Sequence, residues 1–569
     1  MSNMQASTGA RLLIDALAAQ GVDIVFCVPG ESYLAAVDAL YDRRDEIRLI
    51  VCRHEGSATF MAEAYAKASG KPGICFVTRA PGATQAAIGL HTAHQDSTPL
   101  ILLIGQVNRD FIEREAFQEV DYRRMFAPVT KWVSQIDDPA RMPEMVSRAF
   151  HIAMSGRRGP VVLALPEDVL AAVVAAPQRI ARPPVLSQVA PDAAGLACLL
   201  ERIKQAERPL LVLGGSGWTQ EAVNDMRRFV HASGLPVACS FRRQDLFDNR
   251  DPQYIGVLGL GADPALQKAV KEADLLLLFG ARMGEVPSSG YTLIDSPQPE
   301  QWLVHAMPCA EELGRVYRPD LALVTAMPAL ARSLAALSQD KAQLLPPRVK
   351  VLHEGYLRFS QPAGLPADSP TADGMVRIDA AWLLLREQLP DDVIITNGAG
   401  NYTAWAHRYH RYKCFGSQVA PTSGAMGYGL PAAIGARLAC PQRPVLCLAG
   451  DGCFMMSSHE LATAVRLKLP IVIIVFDNQM YGTIRMHQEK WFPRRVHGTD
   501  LENPDFVALA HAFGAHGMKI ESPAALVQAV LAGFEADRPT LLHVSTDPEL
   551  IGPGGSIDSI RNTAEKNKP

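Results

Sequence analysis

Short apolar runs alternate with longer stretches of helical periodicity along most of the chain. In the first third, the apolar runs cover residues 24–28, 49–52, 73–78, 100–104 and 161–164. Stretches at 57–68 and 83–93, with the composition and periodicity of helices, lie between some of these runs. This alternation predicts βαβ units and a parallel sheet.

The same alternation returns twice after interruptions rich in Pro and Ala. It pauses at residues 175–191 and again at about 343–374. The later apolar runs cover residues 209–214, 275–280, 393–396, 445–449, 471–476 and 540–544. We therefore predict three doubly wound α/β domains with parallel sheets, joined by Pro-rich linkers. They cover about residues 1–175, 190–340 and 375–547, and a tail follows at 548–569.

Charge and composition narrow the possible functions. The net charge is -4 and no dense run of Lys and Arg occurs, which argues against nucleic acids and membrane surfaces as partners. The ten cysteines stand singly, without a CxxC pair, so zinc and disulfide frameworks are not expected. The start of the chain lacks a signal-peptide pattern, and the apolar runs are far shorter than the ~20 residues of a spanning helix. We expect a cytoplasmic protein.

The strongest chemical signal lies in the third predicted domain. Gly450-Asp451-Gly452 follows one apolar run, and Asn478 follows the next. Ligands bind at the carboxyl ends of strands in an open parallel sheet, and glycine lets the backbone approach a diphosphate. Asp451, Asn478 and the backbone carbonyl of Met480 offer three oxygen ligands. Two diphosphate oxygens and a water would complete an octahedron suited to Mg2+.

A GDG triplet, about 25 intervening residues and a closing Asn resemble the binding signature of enzymes that depend on thiamine diphosphate (ThDP). That signature usually ends in Asn-Asn, whereas this chain has Asp477-Asn478. The metal ligand in the family is the second residue of the pair. The resemblance therefore implies ThDP and Mg2+ as cofactors, with Asp451, Asn478 and Met480 as the metal ligands.

The first domain offers the carboxylate that this cofactor needs. Arg53-His54-Glu55 ends an apolar run and begins a helical stretch. The resemblance implies that Glu55 hydrogen-bonds N1′ of the aminopyrimidine and favours the imino tautomer, which then removes the C2 proton. Taken alone, a Glu at a helix start is more often a surface cap. Within the family pattern, Glu55 is the predicted acid–base residue.

Further segments resemble one branch of these enzymes, the acetohydroxyacid (acetolactate) synthase large subunits. They are APGATQAAIGL at 80–90, GQV at 105–107, AFQE at 116–119, PVTK at 128–131, GNY at 400–402 and TSGAMGYGLPAAIGA at 422–436. The resemblance implies a pyrimidine-binding, a central Rossmann-like and a diphosphate-binding domain. It also implies that Met426 separates the two cofactor rings, while Gln118 and Phe117 line the reacting face across a subunit boundary.

The cofactor-binding residues implied in this way lie in four segments of the third domain. They are Gly400, Asn401, Tyr402, Gly424, Met426, Gly450, Asp451, Gly452, Cys453, Asn478, Met480, Tyr481 and Gly482.

Two departures from the branch concern substrate and a second cofactor. His487 stands where the family carries a substrate-facing Trp, so His487 and Ile484 are predicted to face substrate, and the choice of acceptor is open. In the central domain, the family's FDDR-containing segment is replaced by MGEVPSSGY at 283–291. FAD, which lies across this domain in the family, is therefore a possible cofactor.

The leading hypothesis is decarboxylation of a 2-oxo acid, foremost pyruvate, followed by carboligation to a second carbonyl compound in a homodimer or homotetramer. A lyase or carboligase of 2-hydroxyketones or 2-hydroxyacyl thioesters is the alternative with the same cofactor, and a closing lid at 551–569 would favour the thioester. That segment equally fits a disordered end. An inert ThDP-binding module is an alternative of another class.

The dipeptides His54-Glu55 and His459-Glu460 lack the second His of a zinc-protease helix, so they do not predict a zinc site. A regulatory subunit is left open.

Overall fold

The computed structural model describes residues 6–175, 182, 187–338, 345–362, 375–553 and 555–566. Three six-stranded sheets dominate it, and every strand pairing within them is parallel, as the sequence predicts. Over these described ranges, no helix combines the length and the apolar character that crossing a membrane requires. The chain divides into two compact units, each described by itself below. The first unit takes residues 1–187, 421–441 and 457–467, and the second unit takes 188–420, 442–456 and 468–569.

The first unit contains the N-terminal sheet. Its strands and helices are β1 (Ala6–Thr8), α1 (Gly9–Ala19), β2 (Ile24–Cys27), α2 (Leu34–Asp42), β3 (Arg48–Val51), α3 (Glu55–Ser69), β4 (Gly73–Val77), α4 (Ala80–Asp96), β5 (Leu100–Gln106), α5 (Tyr122–Phe126), β6 (Trp132–Gln135), α6 (Met142–Met154), β7 (Pro160–Pro166), α7 (Glu167–Ala171) and β8 (Val173–Ala175). The strand order is β3-β2-β4-β5-β7-β6, and β1 pairs with β8 in a separate antiparallel ribbon. The central strands β4, β5 and β7 are buried on both faces, which explains their continuous apolar runs.

The second unit holds the central sheet. Its elements are α8 (Ala193–Gln205), β9 (Pro209–Leu213), α9 (Gln220–Ser233), β10 (Val237–Ser240), β11 (Tyr254–Leu258), α10 (Pro264–Lys271), β12 (Leu275–Phe279), β13 (Trp302–Met307), β14 (Leu321–Val324), α11 (Met327–Leu337) and α12 (Pro347–Phe359). The strand order is β11-β10-β9-β12-β13-β14. Successive strands are added outward in one direction from β9 to β11 and in the other direction from β12 to β14, which is the arrangement of a Rossmann-like domain.

The C-terminal sheet also belongs to the second unit. The remaining elements are α13 (Ile378–Gln388), β15 (Ile394–Asn397), α14 (Thr403–Tyr409), β16 (Gln418–Val419), α15 (Gly429–Ala439), β17 (Val445–Gly450), α16 (Asp451–Met455), α17 (Leu461–Arg466), β18 (Ile471–Asp477), α18 (Gly482–Trp491), α19 (Phe506–Phe513), β19 (His516–Ile520), α20 (Pro523–Phe534), β20 (Thr540–Ser545) and α21 (Ile557–Lys566). Short 3-10 helices lie at Glu31–Tyr33, Arg109–Phe111, Ala127–Val129, Pro139–Arg141, Gln244–Leu246, Ala310–Glu312 and Ser458–Glu460. The strand order is β16-β15-β17-β18-β20-β19.

Two helices from the C-terminal third join the first unit. These are α15 and α17, and α15 lies along α3. A Cβ at Gly435 would stand 2.3 Å from the carbonyl oxygen of Met61, so the two helices approach this closely because residue 435 has no side chain. The ring of Tyr428 meets that of Phe60 edge-on at 5.2 Å between centroids.

Two predictions about connecting segments need revision. The stretch at 343–374 was expected to be a Pro-rich linker, but α12 begins inside it at Pro347, because proline is well suited to the first turn of a helix. At the end of the chain, the alternative of a disordered tail fails for α21, whose Ile557 is buried. The other interruption, at 175–191, lies mostly outside the described residues.

Candidate active site

Glu55 is the first residue of α3 in the first unit, immediately after the turn that follows β3. Its side chain is buried, with 9% of the residue exposed. The carboxylate meets no hydrogen-bond donor among the described residues. A buried carboxylate is costly without a partner, so Glu55 has the character of a group whose partner comes from a ligand.

The first turn of α4 passes beside Glu55. A Cβ at Gly82 would lie 3.1 Å from Oε1 of Glu55, and only glycine fits there without displacing the carboxylate. The carbonyl oxygen of Gln118 accepts the N–H of Ala80 at 3.2 Å, which brings the predicted substrate-facing loop to the same helix end. Phe117 projects from that loop and is 72% exposed.

The segment 422–428, which carries the predicted cofactor-binding residues Gly424 and Met426, is held within the first unit by α3 and α4. Asp96 accepts the N–H of Thr422 at 2.8 Å and also its hydroxyl. The hydroxyls of Thr92 and Ser423 lie 3.1 Å apart. Gly424 is exposed and has a φ of +70°, so its backbone faces open space.

A buried network of ion pairs and hydrogen bonds connects the segment 422–428 to α3 and α4. Lys67 on α3 lies 3.0 Å from Glu63 and also pairs with Asp96. Tyr428 donates to the second oxygen of Glu63, and Thr98 donates to the first. Burial disfavours the charge on Lys67, but the two carboxylates outweigh it and raise the pKa of Lys67. The loop therefore rests on a charged and hydrogen-bonded base.

The predicted metal ligand Asp451 begins α16 at the carboxyl end of β17, in the second unit. The residue is 3% exposed, and its carboxylate accepts the N–H of Gly452 at 2.8 Å and the amide of Asn503 at 2.9 Å. Burial raises the pKa of Asp451 to about 6. A cation beside it would reverse that shift, so the residue fits a metal ligand.

The other two predicted ligands lie in the turn after β18. Asn478 Oδ1 accepts the N–H of Met480 at 3.3 Å, and the Met480 carbonyl accepts the N–H of Gly482 at 2.9 Å. Each oxygen retains a second lone pair for a cation. Among the described residues, no three His, Cys, Asp or Glu side chains group at metal-ligand spacing. The predicted set instead combines one carboxylate with an amide and a carbonyl, which suits Mg2+ rather than zinc.

The carboxylate of Asp477, the departure from the usual Asn-Asn ending, has three partners, one of which is the backbone N–H of Gln479 at 3.1 Å. His543 Nε2 on β20 lies 2.9 Å from Asp477 Oδ2, and Asn503 donates to Asp477 Oδ1 at 2.9 Å. Burial favours a higher pKa for Asp477, but the hydrogen bonds from His543 and Asn503 outweigh it and lower the pKa. Asn503 thus bridges Asp477 and Asp451 with one amide nitrogen.

Aromatic rings explain three of the predicted cofactor-binding glycines, Gly400, Gly450 and Gly452. A Cβ at Gly400 or Gly450 would come within 2.8 Å of the Tyr402 ring, and one at Gly452 would come within 2.7 Å of the Tyr481 ring. Tyr402 also donates its hydroxyl to Cys453 Sγ at 3.2 Å. Gly450 and Gly452 were predicted from close approach of a diphosphate and Gly400 from the family resemblance. The structure adds that a side chain at any of the three would collide with a neighbouring aromatic ring.

Asn401 connects this turn to α18. Its N–H donates to the Thr483 hydroxyl at 3.2 Å, and that hydroxyl donates back to Asn401 Oδ1 at 3.0 Å. Ile484 and His487, the predicted substrate residues, are both exposed on α18, three positions apart and therefore on one face.

The C-terminal helix α21 is clamped to α18 by an ion cluster. Glu489, which is buried, accepts two hydrogen bonds from Arg561 at 2.8 and 2.9 Å and one from Arg485 at 3.1 Å. These guanidinium groups lower the pKa of Glu489 to about 2, with Arg561 as the main cause. The segment predicted as either lid or disordered end therefore supports the helix that carries Ile484 and His487.

Sequence reasoning missed the residues that support the site. They are Asn503, His543, Glu460, Glu489 and Arg561. His543 became a partner of Asp477 because β20 lies beside β18, and strand order is not contained in local pattern. For Glu460 a signal existed, since a Glu within a short apolar helical stretch needs a partner when buried.

Comparison with known proteins shows which family the chain belongs to. Three models of thiamine pyrophosphate enzymes (thiamine pyrophosphate is a synonym of ThDP) match the chain: the N-terminal TPP binding domain at 7–125, the central domain at 196–334 and the C-terminal TPP binding domain at 398–544. The chain belongs to the thiamine pyrophosphate enzyme family. It is a ThDP-dependent enzyme, as the GDG signature predicts.

Curated relatives cover nearly the whole chain of this family member. The acetolactate synthase large subunit of Parasynechococcus marenigrum is 34% identical over 95% of this chain and 88% of its own. The acetolactate synthase isozyme 2 large subunit of Escherichia coli K12 is 33% identical over 96% and 98%. The acetolactate synthase of Bacillus subtilis is 31% identical over 95% and 93%. The resemblance stated from the sequence is confirmed.

Proposed function

We propose that this ThDP-dependent enzyme decarboxylates a 2-oxo acid, foremost pyruvate, and joins the remaining fragment to a second carbonyl compound. The observation that carries the proposal is the similarity to acetolactate synthase large subunits across about nineteen-twentieths of the chain, which includes Glu55. ThDP, when bound, supplies the nucleophilic carbon and the electron sink that this chemistry needs. The protein supplies orientation, a water-poor pocket and proton control.

Glu55 is the proposed acid–base residue. Its buried carboxylate, which no described donor engages, suits a hydrogen bond to N1′ of the aminopyrimidine. Gly82 supports this role, because it leaves room for the carboxylate beside α4. Gly424 and Met426 are proposed to hold the same ring. Their segment is anchored by Asp96, so it presents a fixed backbone to the ligand.

The proposed Mg2+ ligands are Asp451, Asn478 and the Met480 carbonyl, with the diphosphate held at Gly400–Tyr402, Gly450–Cys453 and Tyr481–Gly482. The raised pKa of Asp451 supports this assignment, because a buried carboxylate without a counter-ion gains most from a cation. Asn503 donates to Asp451 and orients it, in the manner of the outer groups that commonly fix metal-binding carboxylates.

The proposed active unit is a homodimer or a dimer of dimers. In the resembling enzymes, the first domain of one subunit meets the third domain of its partner, and each cofactor lies between them. Glu55 and Asp451 would then act in one site while belonging to different chains, with Gln118 and Phe117 on the reacting face. A two-fold interface gives two equivalent sites. A cytoplasmic location is proposed because all ten cysteines are thiols rather than halves of disulfides.

The two departures from the family bear on a second cofactor, which the resemblance implies, and on the acceptor substrate. FAD is proposed only as a possible occupant of the central domain. His487, at the position where the family carries a substrate-facing Trp, is exposed on α18 with Ile484, and the acceptor is left open. The proposal therefore specifies the donor substrate, a 2-oxo acid, more closely than the acceptor carbonyl compound.

A substrate panel tests the proposal. The full chain with ThDP and Mg2+ receives pyruvate and other 2-oxo acids, alone and with aldehyde, 2-oxo acid and acyl-CoA acceptors, and CO2 and products are measured. Release of CO2 from pyruvate with a new carbon–carbon bond is expected, and the Glu55→Gln variant should lack both. Cleavage of 2-hydroxyacyl thioesters without action on 2-oxo acids would favour the lyase alternative. Absence of any turnover with ThDP firmly bound would favour an inert binding module.

A further inference from the structure

The two His-Glu dipeptides of the sequence meet in the first unit. Glu460, at the end of the 3-10 helix Ser458–Glu460, directs one carboxylate oxygen at the turn before α3. That oxygen accepts the N–H of Arg53 at 2.9 Å and the N–H of His54 at 3.1 Å. The second oxygen accepts the hydroxyl of Thr463. Glu460 itself is 0% exposed.

The backbone is fixed on the other side of Glu55 as well. The ring of His54 accepts the N–H of Gly56 at 3.0 Å and so caps α3. The carbonyl of Glu55 accepts the hydroxyl of Thr59 at 3.0 Å. Glu460 thus holds the N–H groups of the two residues before Glu55, and the His54 ring holds the N–H of the residue after it. The orientation of the Glu55 side chain is thereby set from its own backbone.

The imidazole of His459 completes the cluster. Its ring centroid lies 5.6 Å from that of His54, and its Nε2 lies 3.2 Å from the Ser57 hydroxyl. Burial, with a smaller contribution from His54, lowers the pKa of His459, so the ring is neutral near pH 7. His459 Nε2 stands 3.7 Å from Oε1 of Glu460, but that oxygen accepts backbone N–H groups rather than facing a cation, and Oε2 accepts the Thr463 hydroxyl.

This placement of a carboxylate is costly and needs a reason. Burial raises the pKa of Glu460, and the hydrogen bonds from Thr463, Arg53 and His54 oppose that rise. An apolar side chain would avoid the desolvation of a charge. It would leave two N–H groups of the turn before α3 without an acceptor, and the turn would relax. A shift of about 1 Å in a reacting group lowers rates about a hundredfold.

We infer that Glu460 is a positioning residue for Glu55, acting through the backbone N–H groups of Arg53 and His54. The inference deepens the proposed function and rests on it for the role of Glu55. Because Glu460 is fully buried and both its oxygens are engaged by the protein, we assign it no contact with substrate; it fixes the turn from which the Glu55 carboxylate projects.

The test uses the full chain with three substitutions. Glu460→Ala removes the acceptor. Glu460→Gln retains one acceptor oxygen in nearly the same shape. Thr463→Val removes only the hydroxyl that faces the second oxygen, and is the matched control. Three quantities are measured: amide hydrogen exchange at Arg53 and His54 without ThDP, the Kd for ThDP with Mg2+, and proton exchange at C2 of bound ThDP.

Glu460→Ala should speed amide exchange at Arg53 and His54 by about tenfold or more, the scale of one lost hydrogen bond. C2 exchange should slow by about tenfold or more, while the Kd for ThDP changes less than about threefold. Glu460→Gln and Thr463→Val should stay close to the unsubstituted protein in all three quantities.

Two outcomes overturn the inference: unchanged amide exchange in Glu460→Ala, or exposed amides with unchanged C2 exchange. If Glu460→Ala does not fold, Glu460→Asp replaces it, because the shorter side chain keeps the charge but withdraws the oxygen from the two amides. C2 exchange must then still fall, and wild-type exchange in Glu460→Asp overturns the inference. Failure of the proposed function has a different result, namely bound ThDP without C2 exchange in the unsubstituted protein.

Discussion

Gly82 and Glu55 lie in direct apposition: a methyl group at position 82 would stand 3.1 Å from Oε1 of Glu55. The same methyl would come within 3.0 Å of Thr78 Cγ2. A side chain at residue 82 would therefore force the Glu55 carboxylate or Thr78 to move by a few tenths of an ångström. This proximity links the glycine-containing segment 80–90, recognised from sequence, to the proposed acid–base residue.

Gly82→Ala should separate catalysis from stability. Alanine favours helix formation over glycine by about 1 kcal/mol, so the fold should not lose stability. The added methyl must displace the Glu55 carboxylate or Thr78, and C2 exchange of bound ThDP should fall by about tenfold. Thr84→Ala, an exposed substitution in the next turn of α4, is the control and should leave exchange unchanged. Normal exchange in a folded Gly82→Ala protein would contradict the proposed place of Glu55.

Asp451→Ala should abolish the stabilisation that ThDP and Mg2+ provide together. A ligand that binds only the native state raises Tm by mass action, and loss of the metal ligand removes that rise. Without ligands the variant should be as stable as the unsubstituted protein, because burial penalises the charge of Asp451. Thermal melts with and without both cofactors measure this, with the exposed Glu502→Ala as control. A normal ligand-induced shift in Asp451→Ala would remove Asp451 from the metal site.

Glu489 should make the clamp between α18 and α21 sensitive to acid. Its pKa falls from 4.5 to about 2 in the folded protein, mainly through Arg561. The pair therefore stabilises the fold fully above about pH 4.5, and this contribution is lost as pH falls towards 2. Glu489→Gln should flatten the stability curve in that window and expose 546–556 to proteolysis. Asp558→Asn, which removes an exposed partner of Arg561, is the control. Identical acid curves for Glu489→Gln and the unsubstituted protein would refute the clamp.

The sequence predicted the fold class and the positions of most strands because alternating apolar runs and helices report burial directly. It placed Glu55 at the start of α3 and Asp451 after β17 through family pattern and strand ends. It missed Glu460, whose partners Arg53 and His54 lie about four hundred residues away, and Asn503, which lies in a loop. Such pairs depend on which segments meet in three dimensions. Local periodicity carries no information about that.

Subunit mixing should restore activity between two inactive variants. If each site takes Glu55 from one chain and Asp451 from the other, a mixed dimer of Glu55→Gln and Asp451→Ala contains one site with both lesions and one with neither. Activity should then approach half of the normal value per mixed dimer after subunit exchange. Mixing either variant with itself is the control. A proven heterodimer without activity would place both residues of a site on one chain.

Proton exchange at C2 of bound ThDP in Glu55→Gln tests the central claim most directly. Glutamine keeps the shape of the side chain but loses the carboxylate that is proposed to engage N1′. ThDP and Mg2+ should bind with nearly unchanged Kd, while C2 exchange slows by at least about a hundredfold, the scale of a positioned acid–base group. Exchange at the wild-type rate in Glu55→Gln, with the cofactor bound, would contradict the account.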